Sequence, residues 1–292
     1  MTITGVLLAA AGIGAAMTAW MHAEARRAAV REMDVELDRL PASFEGTRIF
    51  FISDIHRRLV ERRDIEQAAA GGRIDLVLIG GDLRERKVPL ERTRRNIKLL
   101  ASLGPIYMVY GNHDYDDHAR ELEVLLREEG VRILSNDAVV LEQRGGERLR
   151  LAGVDDSKSG RDRLEMALQP PIDFPGRVEE DCTILLAHDP ILIEKLVDRP
   201  ALHVDLVLAG HTHGGQIVLP VLGPLYRSYT TVTYAGGWYE LKVRQAAGER
   251  RLRLFVSKGY GTSHLPLRLN APAEAHVLTL RQRQASRSQP GR

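Results

Sequence analysis

A single cysteine, Cys182, in 292 residues removes two kinds of chemistry at once. No intramolecular disulfide can form, and a zinc site built from several thiolates is excluded. Cys182 opens the apolar run Thr183-Ile184-Leu185-Leu186, where a small buried strand residue is the plain reading. An excess of charge of one sign is missing too: Lys+Arg 41 against Asp+Glu 39 leaves +2. Nucleic-acid-binding domains carry a clear basic excess, so this balance points away from that class. No internal repeat is present. With 44% hydrophobic and 27% charged residues the chain is ordinary globular material, long enough for one large domain or two small ones.

Charge is absent altogether from Ile3 to Trp20, where Val6, Leu7, Leu8, Ile13 and Met17 sit among alanines and glycines. About 20 apolar residues cross a bilayer as a helix. Residues 1–24 are therefore expected to anchor the chain in the cell membrane by a single span. A cleaved signal peptide is the alternative. It normally carries Lys or Arg before its apolar stretch, and Met1-Thr2 supplies none, although Ala23 and Ala25 resemble a cleavage site. Arg26, Arg27 and Arg31 follow the run, so the positive-inside tendency places the domain on the cytoplasmic face, export being the alternative. Residues 25–42 read as a linker or short helix, 43–281 as the folded domain, and 282–292 as a basic solvated tail.

Within the domain, short apolar runs alternate with charged helical stretches. Residues 48–52, 74–79, 106–110, 183–187 and 205–209 are continuous apolar runs of the kind that form strands buried on both faces. Between them, 61–70, 90–102, 117–129 and 190–198 place apolar residues at helical spacing. The alternation is that of an α/β fold. Segments around 138–154, 215–218, 231–243 and 250–257 read as shorter, more antiparallel strands. Aromatic residues near Trp238, Tyr239 and Tyr260 read either as core or as an apolar wall beside a site.

The chemistry sits where the apolar runs stop, which is where ligands collect in α/β sheets. The first run ends in Asp54-Ile55-His56, and residues two apart in an extended segment point the same way. The second ends in Gly80-Gly81-Asp82, the third in Gly111-Asn112-His113-Asp114, the fourth in His188-Asp189 and the fifth in Gly210-His211-Thr212-His213. Each fragment alone is weak, since a strand-terminal Gly-Asp is usually a turn and a lone histidine usually structural. Five successive strand ends that each offer a metal ligand are another matter. Carboxylate, amide oxygen and imidazole together suit Mn²⁺, Fe²⁺, Zn²⁺ or Co²⁺. His22, His118, His203, His264 and His276 lack such settings and read as structural or surface residues.

In these residues and their order the chain resembles the calcineurin-like metallophosphoesterases, across about residues 50–215. It is most similar to the membrane-associated branch that includes the YkuE- and YaeI-like phosphoesterases, whose ending resembles Ser257-Lys258-Gly259-Tyr260-Gly261-Thr262 and the segments Pro266-Leu267-Arg268 and Pro272-Ala273-Glu274. The resemblance implies a four-layer αββα sandwich of two mixed β-sheets flanked by helices, and two divalent cations, Mn²⁺ foremost. One cation would be held by Asp54, His56, Asp82 and His213, the other by Asp82, Asn112, His188 and His211, with Asp82 shared. Such a site hydrolyses a phosphodiester, phosphomonoester or pyrophosphate bond with metal-activated hydroxide. His113 is placed to protonate the leaving oxygen, with Asp114 orienting its imidazole or serving only as a helix cap. Arg57-Arg58 stands where many relatives have small residues; Arg57 reads as a phosphate contact or as a solvated side chain. Membrane anchoring makes a lipid-linked phosphoester a plausible substrate class. A nuclease of the same chemistry and a metal-stabilised scaffold without activity are the alternatives.

Overall fold

The computed structural model describes residues 2–169, 182–199, 201–245 and 248–283. The chain opens with α1 (Ile3–Arg26) and β1 (Ala28–Leu37), followed by β2 (Arg48–Ile52), α2 (Arg62–Ala70), β3 (Leu76–Ile79) and α3 (Leu90–Ala101). Next come β4 (Ile106–Met108), α4 (Ala119–Glu128), β5 (Arg132–Ile133), β6 (Asp137–Glu142), β7 (Arg148–Gly153) and α5 (Leu164–Leu168). Then follow β8 (Cys182–Leu186), α6 (Leu192–Val197), β9 (Leu206–Ala209), β10 (Val218–Leu219) and β11 (Gly223–Pro224). The described chain closes with α7 (Tyr229–Thr233), β12 (Gly237–Gln245), β13 (Gly248–Val256) and β14 (Ala273–Gln282).

Two six-stranded mixed sheets form the centre, in the orders β1-β14-β2-β3-β4-β5 and β12-β13-β9-β8-β7-β6. Strand alternation distributes each apolar run between layers. Ile49 and Phe51 of β2 face the interlayer core with Leu186, Leu208 and Phe255, while Phe50 and Ile52 turn outward to Ile65, Ile97 and Leu122 of α2, α3 and α4. The second sheet covers its outer face with Leu164 of α5 and Leu192, Ile193 and Leu196 of α6. This is the four-layer arrangement, and Cys182 is a buried strand residue within it.

Residues 28–37 correct the linker or short helix expected over 25–42: they are a strand, paired in parallel with β14 from Ala28↔Ala273 to Leu37↔Gln282. The strand is hard to see because it lies at a sheet edge and one of its faces is charged. Glu32, Asp34 and Glu36 share that face, Asp34 pairing with Arg281, while Val35 and Leu37 on the opposite face are buried. A second correction concerns 231–243, whose first residues belong to the short helix α7 rather than to a strand. Tyr260 is wholly buried with its hydroxyl donating to Asp64 and is core, whereas Trp238 packs on Phe255 and under Arg253 while staying more than a third exposed; neither lines the cavity of the site. Beyond Arg283 the basic tail expected over 282–292 lies outside the described residues.

α1 is the one described helix long and apolar enough to cross a membrane, and its apolar window packs on nothing. Only its last turns touch the domain. Met21 and Ala25 are buried, Arg268 N donates to Met21 O, and Arg58 donates to the carbonyls of Ala25 and Arg26.

Candidate metal centre

The seven expected ligands come from five strand ends, and the turns that follow those strands bring them together. Asp54, His56, Asp82, His211 and His213 all have left-handed backbone, with φ between 50° and 69°. Such conformations cost non-glycine residues energy and persist where the surrounding structure enforces them. This revises the expectation that Asp54 and His56 are aligned by an extended segment, and the same holds for His211 and His213. They converge because each is wound back toward the centre, and Asp54 is held there by Ser53 Oγ at 2.5 Å and by His211 N at 3.1 Å. Two glycines make room. A Cβ at Gly111 would stand 2.2 Å from Asp82 Oδ1, and one at Gly210 would stand 2.3 Å from Asp54 Oδ2.

The side chains gather into two clusters, Asp54, His56 and His213 in one and Asp82, His188 and His211 in the other, the atoms of each lying within 4.8 Å of one another. His213 Nε2 is 3.0 Å from His56 Nε2 and 3.4 Å from Asp54 Oδ1. His188 Nε2 is 3.2 Å from His211 Nδ1 and 3.1 Å from Asp82 Oδ2. The same Asp82 oxygen is 3.6 Å from His56 Nε2, so it stands between the clusters. Ligands bind such ions at about 2.0–2.2 Å, which places neighbouring ligand atoms roughly 3–3.5 Å apart. The spacing fits. Asn112 Oδ1 adds a second sign, being buried with no hydrogen-bond partner among the described residues. A buried acceptor of that kind calls for a partner.

A family model described as calcineurin-like phosphoesterase matches residues 47–215, which span both clusters. The chain belongs to the calcineurin-like phosphoesterase family. It is 37% identical over 279 residues to the uncharacterized protein YpbG of Bacillus subtilis (strain 168), covering 95% of this chain and 96% of that one. The uncharacterized metallophosphoesterase YkuE of the same organism is 28% identical over 286 residues, covering 95% and 92%. The phosphodiesterase YaeI of Escherichia coli (strain K12) is 29% identical over 242 residues, covering 80% and 82%.

Electrostatically, burial in this phosphoesterase penalises charge at Asp82 and the histidines of the centre, and at Asp82, His188 and His56 the neighbours reverse its effect. Burial would raise Asp82, but the charge and hydrogen bond of His188 hold it well below the ordinary carboxylate range. Burial would lower His188, yet Asp82 pushes it well above the ordinary histidine value. His56 also rises against its burial, chiefly because Glu85 lies 3.2 Å from its Nδ1. His213 is pushed well down by burial, with the charges of His56 and Arg268 adding to the effect; burial and His188 lower His211. The neutral imidazole is thus favoured at His211 and His213 and the imidazolium at His56 and His188, from which a bound cation would displace a proton. His188 Nδ1 donates to Gly80 O at 2.8 Å, which turns Nε2 toward the centre.

His113 lies beside the phosphoesterase's centre, its ring centroid 5.1 Å from that of His56, and its backbone N donates to Asp82 Oδ1 at 2.8 Å. Of the two readings of Asp114, the structure has it capping the turn rather than orienting the His113 imidazole. Asp114 accepts from Gly111 N and Arg84 N, and burial, followed by the charge of Asp82, pushes its carboxyl up to about 7. The residue on His113 Nδ1 is Asp116, at 2.7 Å. Residues 112–115 form a 3₁₀ turn, in which positions three apart share a face; that period was the missed signal. Glu85, three residues after Asp82, was also missed. Arg57 forms an ion pair with Glu85 and is otherwise half exposed, whereas Arg58 stacks on Tyr260 and braces α1.

The centre opens into a cavity of about 390 Å³, lined among others by His113, Lys158, Gln216, Tyr226, Ser263 and His264. His264, expected to be structural or on the surface, has its ring centroid 5.9 Å from that of His113. A larger cleft of about 800 Å³, between Tyr110, Arg127 and Arg132, contains neither cluster.

Proposed function

We propose that this phosphoesterase hydrolyses a phosphodiester, phosphomonoester or pyrophosphate bond at a dinuclear centre, on a lipid-linked substrate at the cytoplasmic face of a membrane. The observation that carries the reading is the position of Asp82 Oδ2, within 3.6 Å of an imidazole of each ligand cluster. Asp54, His56, Asp82 and His213 would hold one divalent cation, and Asp82, Asn112, His188 and His211 the other, with Mn²⁺ ahead of Fe²⁺, Zn²⁺ and Co²⁺. Bound there, two cations acidify water and neutralise charge on phosphoryl oxygens.

The chain's own residues do the rest. The Asp82 carboxylate would offset repulsion between two bound cations, and the His113 amide holds one of its oxygens in place. Asn112 contributes a neutral oxygen, which limits negative charge on its side of the centre. The His113 imidazole protonates the leaving oxygen, and Asp116 on its far nitrogen fixes its tautomer and steadies its charge. Glu85 plays the corresponding part for His56. Lys158, Gln216, Ser263 and His264 line the space that receives the rest of the substrate. Arg57 can contact a phosphate only by exchanging its ion pair with Glu85. The lipid-linked substrate is supported by α1, which would hold the cavity at a bilayer, and Arg26, Arg27 and Arg31 beyond the span favour the cytoplasmic side.

The test uses the full chain in nanodiscs with Mn²⁺, offered a phosphomonoester, a phosphodiester, a lipid-linked pyrophosphate and single-stranded DNA. Hydrolysis should fall by more than about 100-fold in Asp82→Asn, and kcat/KM should be highest for the lipid-linked substrate. Undiminished turnover in Asp82→Asn would refute the centre. Preference for DNA would refute the substrate class. Protease protection in vesicles reads the orientation separately.

A further inference from the structure

Five large apolar side chains cluster on one short stretch of surface. Val221, Leu222, Leu225 and Tyr226, on and after the β10–β11 hairpin, are more than half exposed, and so is Leu265 on the adjoining segment. Val221 also has φ 66°, a strained value for a β-branched residue. Exposed apolar patches on soluble surfaces usually mark an interaction site.

The surroundings indicate the occupant. Val218 N donates to Leu269 O at 2.9 Å, Asn270 Nδ2 donates to Val218 O, and Gln216 Nε2 donates to Ser263 O and Leu265 O, so the hairpin is fastened to residues 263–270. The same segment receives the end of α1. His22 Nδ1 is 3.0 Å from Pro266 O, and Arg268 N donates to Met21 O. Pro266 and Leu269 are three residues apart, which limits their separation to about 11 Å. The base of the hairpin and the end of the helix are therefore anchored beside each other on one short segment. From Ile3 to Trp20 the helix spans about 27 Å, near the roughly 30 Å of a bilayer's hydrocarbon core. The exposed Trp20 marks the level at which membrane-interface aromatics sit. The apolar hairpin stands next to that level, and Tyr226 belongs both to it and to the lining of the cavity.

We infer that the hairpin, residues 218–226 together with Leu265, is a second membrane contact, seated in the interfacial layer of the bilayer that α1 crosses. It sets the cavity mouth against the lipid, so that an amphiphilic phosphoester reaches the centre without leaving the membrane. The inference rests on α1 being a membrane span.

The test is a fluorescent probe on a cysteine introduced at position 222, Leu222→Cys, in the full chain in nanodiscs of phosphatidylcholine and phosphatidylglycerol. Cys182 is buried and out of reach of the reagent. Nitroxide-labelled lipids should quench this probe at least twofold, and should quench one at Leu8→Cys in α1, but not one at the exposed Val124→Cys on α4. Quenching at position 8 without quenching at 222 would overturn the hairpin contact alone. Absence of both would overturn the span as well. If shielding of position 222 requires two chains per disc, the patch is a dimer contact and the inference fails. Leu222→Asp should abolish the hairpin's contribution while leaving hydrolysis of a soluble phosphodiester within twofold, which verifies the fold.

Discussion

Asp116→Asn separates proton donation from every other job of the centre, because Asp116 belongs to neither ligand cluster. Its Oδ2 is 2.7 Å from His113 Nδ1, and the side chains are 20% and 33% exposed for His113 and Asp116. A hydrogen bond to a charged group contributes about 1.5–3 kcal/mol when well shielded. Partial exposure moves this pair to the lower part of that range, about 1.5–2 kcal/mol. At 1.36 kcal/mol per tenfold, kcat should drop about 10–30-fold where the leaving oxygen needs a proton. An alkyl ester needs one, whereas a p-nitrophenyl ester leaves as a stable anion. Paired stopped assays with bis-p-nitrophenyl phosphate and an alkyl phosphodiester at saturating Mn²⁺ therefore read the role directly. Loss on the alkyl ester should exceed loss on the nitrophenyl ester by about tenfold, with KM and bound metal unchanged. Equal losses on both substrates, or a loss that tracks metal content, would refute the assignment of His113 as the acid.

Glu85→Gln removes the carboxylate beside His56 Nδ1 and should weaken Mn²⁺ binding by about 10–100-fold, measured by competition with a chelator. Unchanged affinity would leave Glu85 as no more than a partner for Arg57. Gly111→Ala places a methyl group 2.2 Å from Asp82 Oδ1, so the shared carboxylate must move. Metal analysis should then find fewer than two ions per chain, with the far-ultraviolet spectrum preserved. The pH dependence follows from His188 and Asp82. The raised His188 contributes stability to the metal-free protein that is fully present below its unfolded value near pH 6.5, and is lost as pH rises through the folded value. Asp82, depressed in the fold, contributes stability that is present above its unfolded value near pH 3.9 and lost as pH falls through the folded one. Melting temperature without metal should therefore fall on the alkaline side. Mn²⁺ affinity should rise over the same interval by up to about tenfold per pH unit, because the cation displaces the His188 proton. A pH-independent affinity would contradict the Asp82–His188 pairing.

Much of this was legible without coordinates, because burial and ligation impose strong local demands. Strands covered on both faces must be apolar throughout, so β2, β3, β8 and β9 announced themselves. A metal centre at strand ends must place Asp, Asn and His immediately after those runs, and all seven candidate ligands stand there. Tertiary structure decided what depends on partners far apart in the chain. β1 is charged on one face and became a strand only because β14, some 240 residues later, offered it an edge. Asp116 rather than Asp114 met His113 because a 3₁₀ turn, not a helix or strand, follows Gly111. The left-handed turns that fold Asp54, His56, Asp82, His211 and His213 inward leave no mark in composition, since Asp and His enter such turns more readily than most residues but only the surrounding structure fixes where. The position of the hairpin beside α1 was equally invisible, because it depends on hydrogen bonds from both elements to the single segment 263–270.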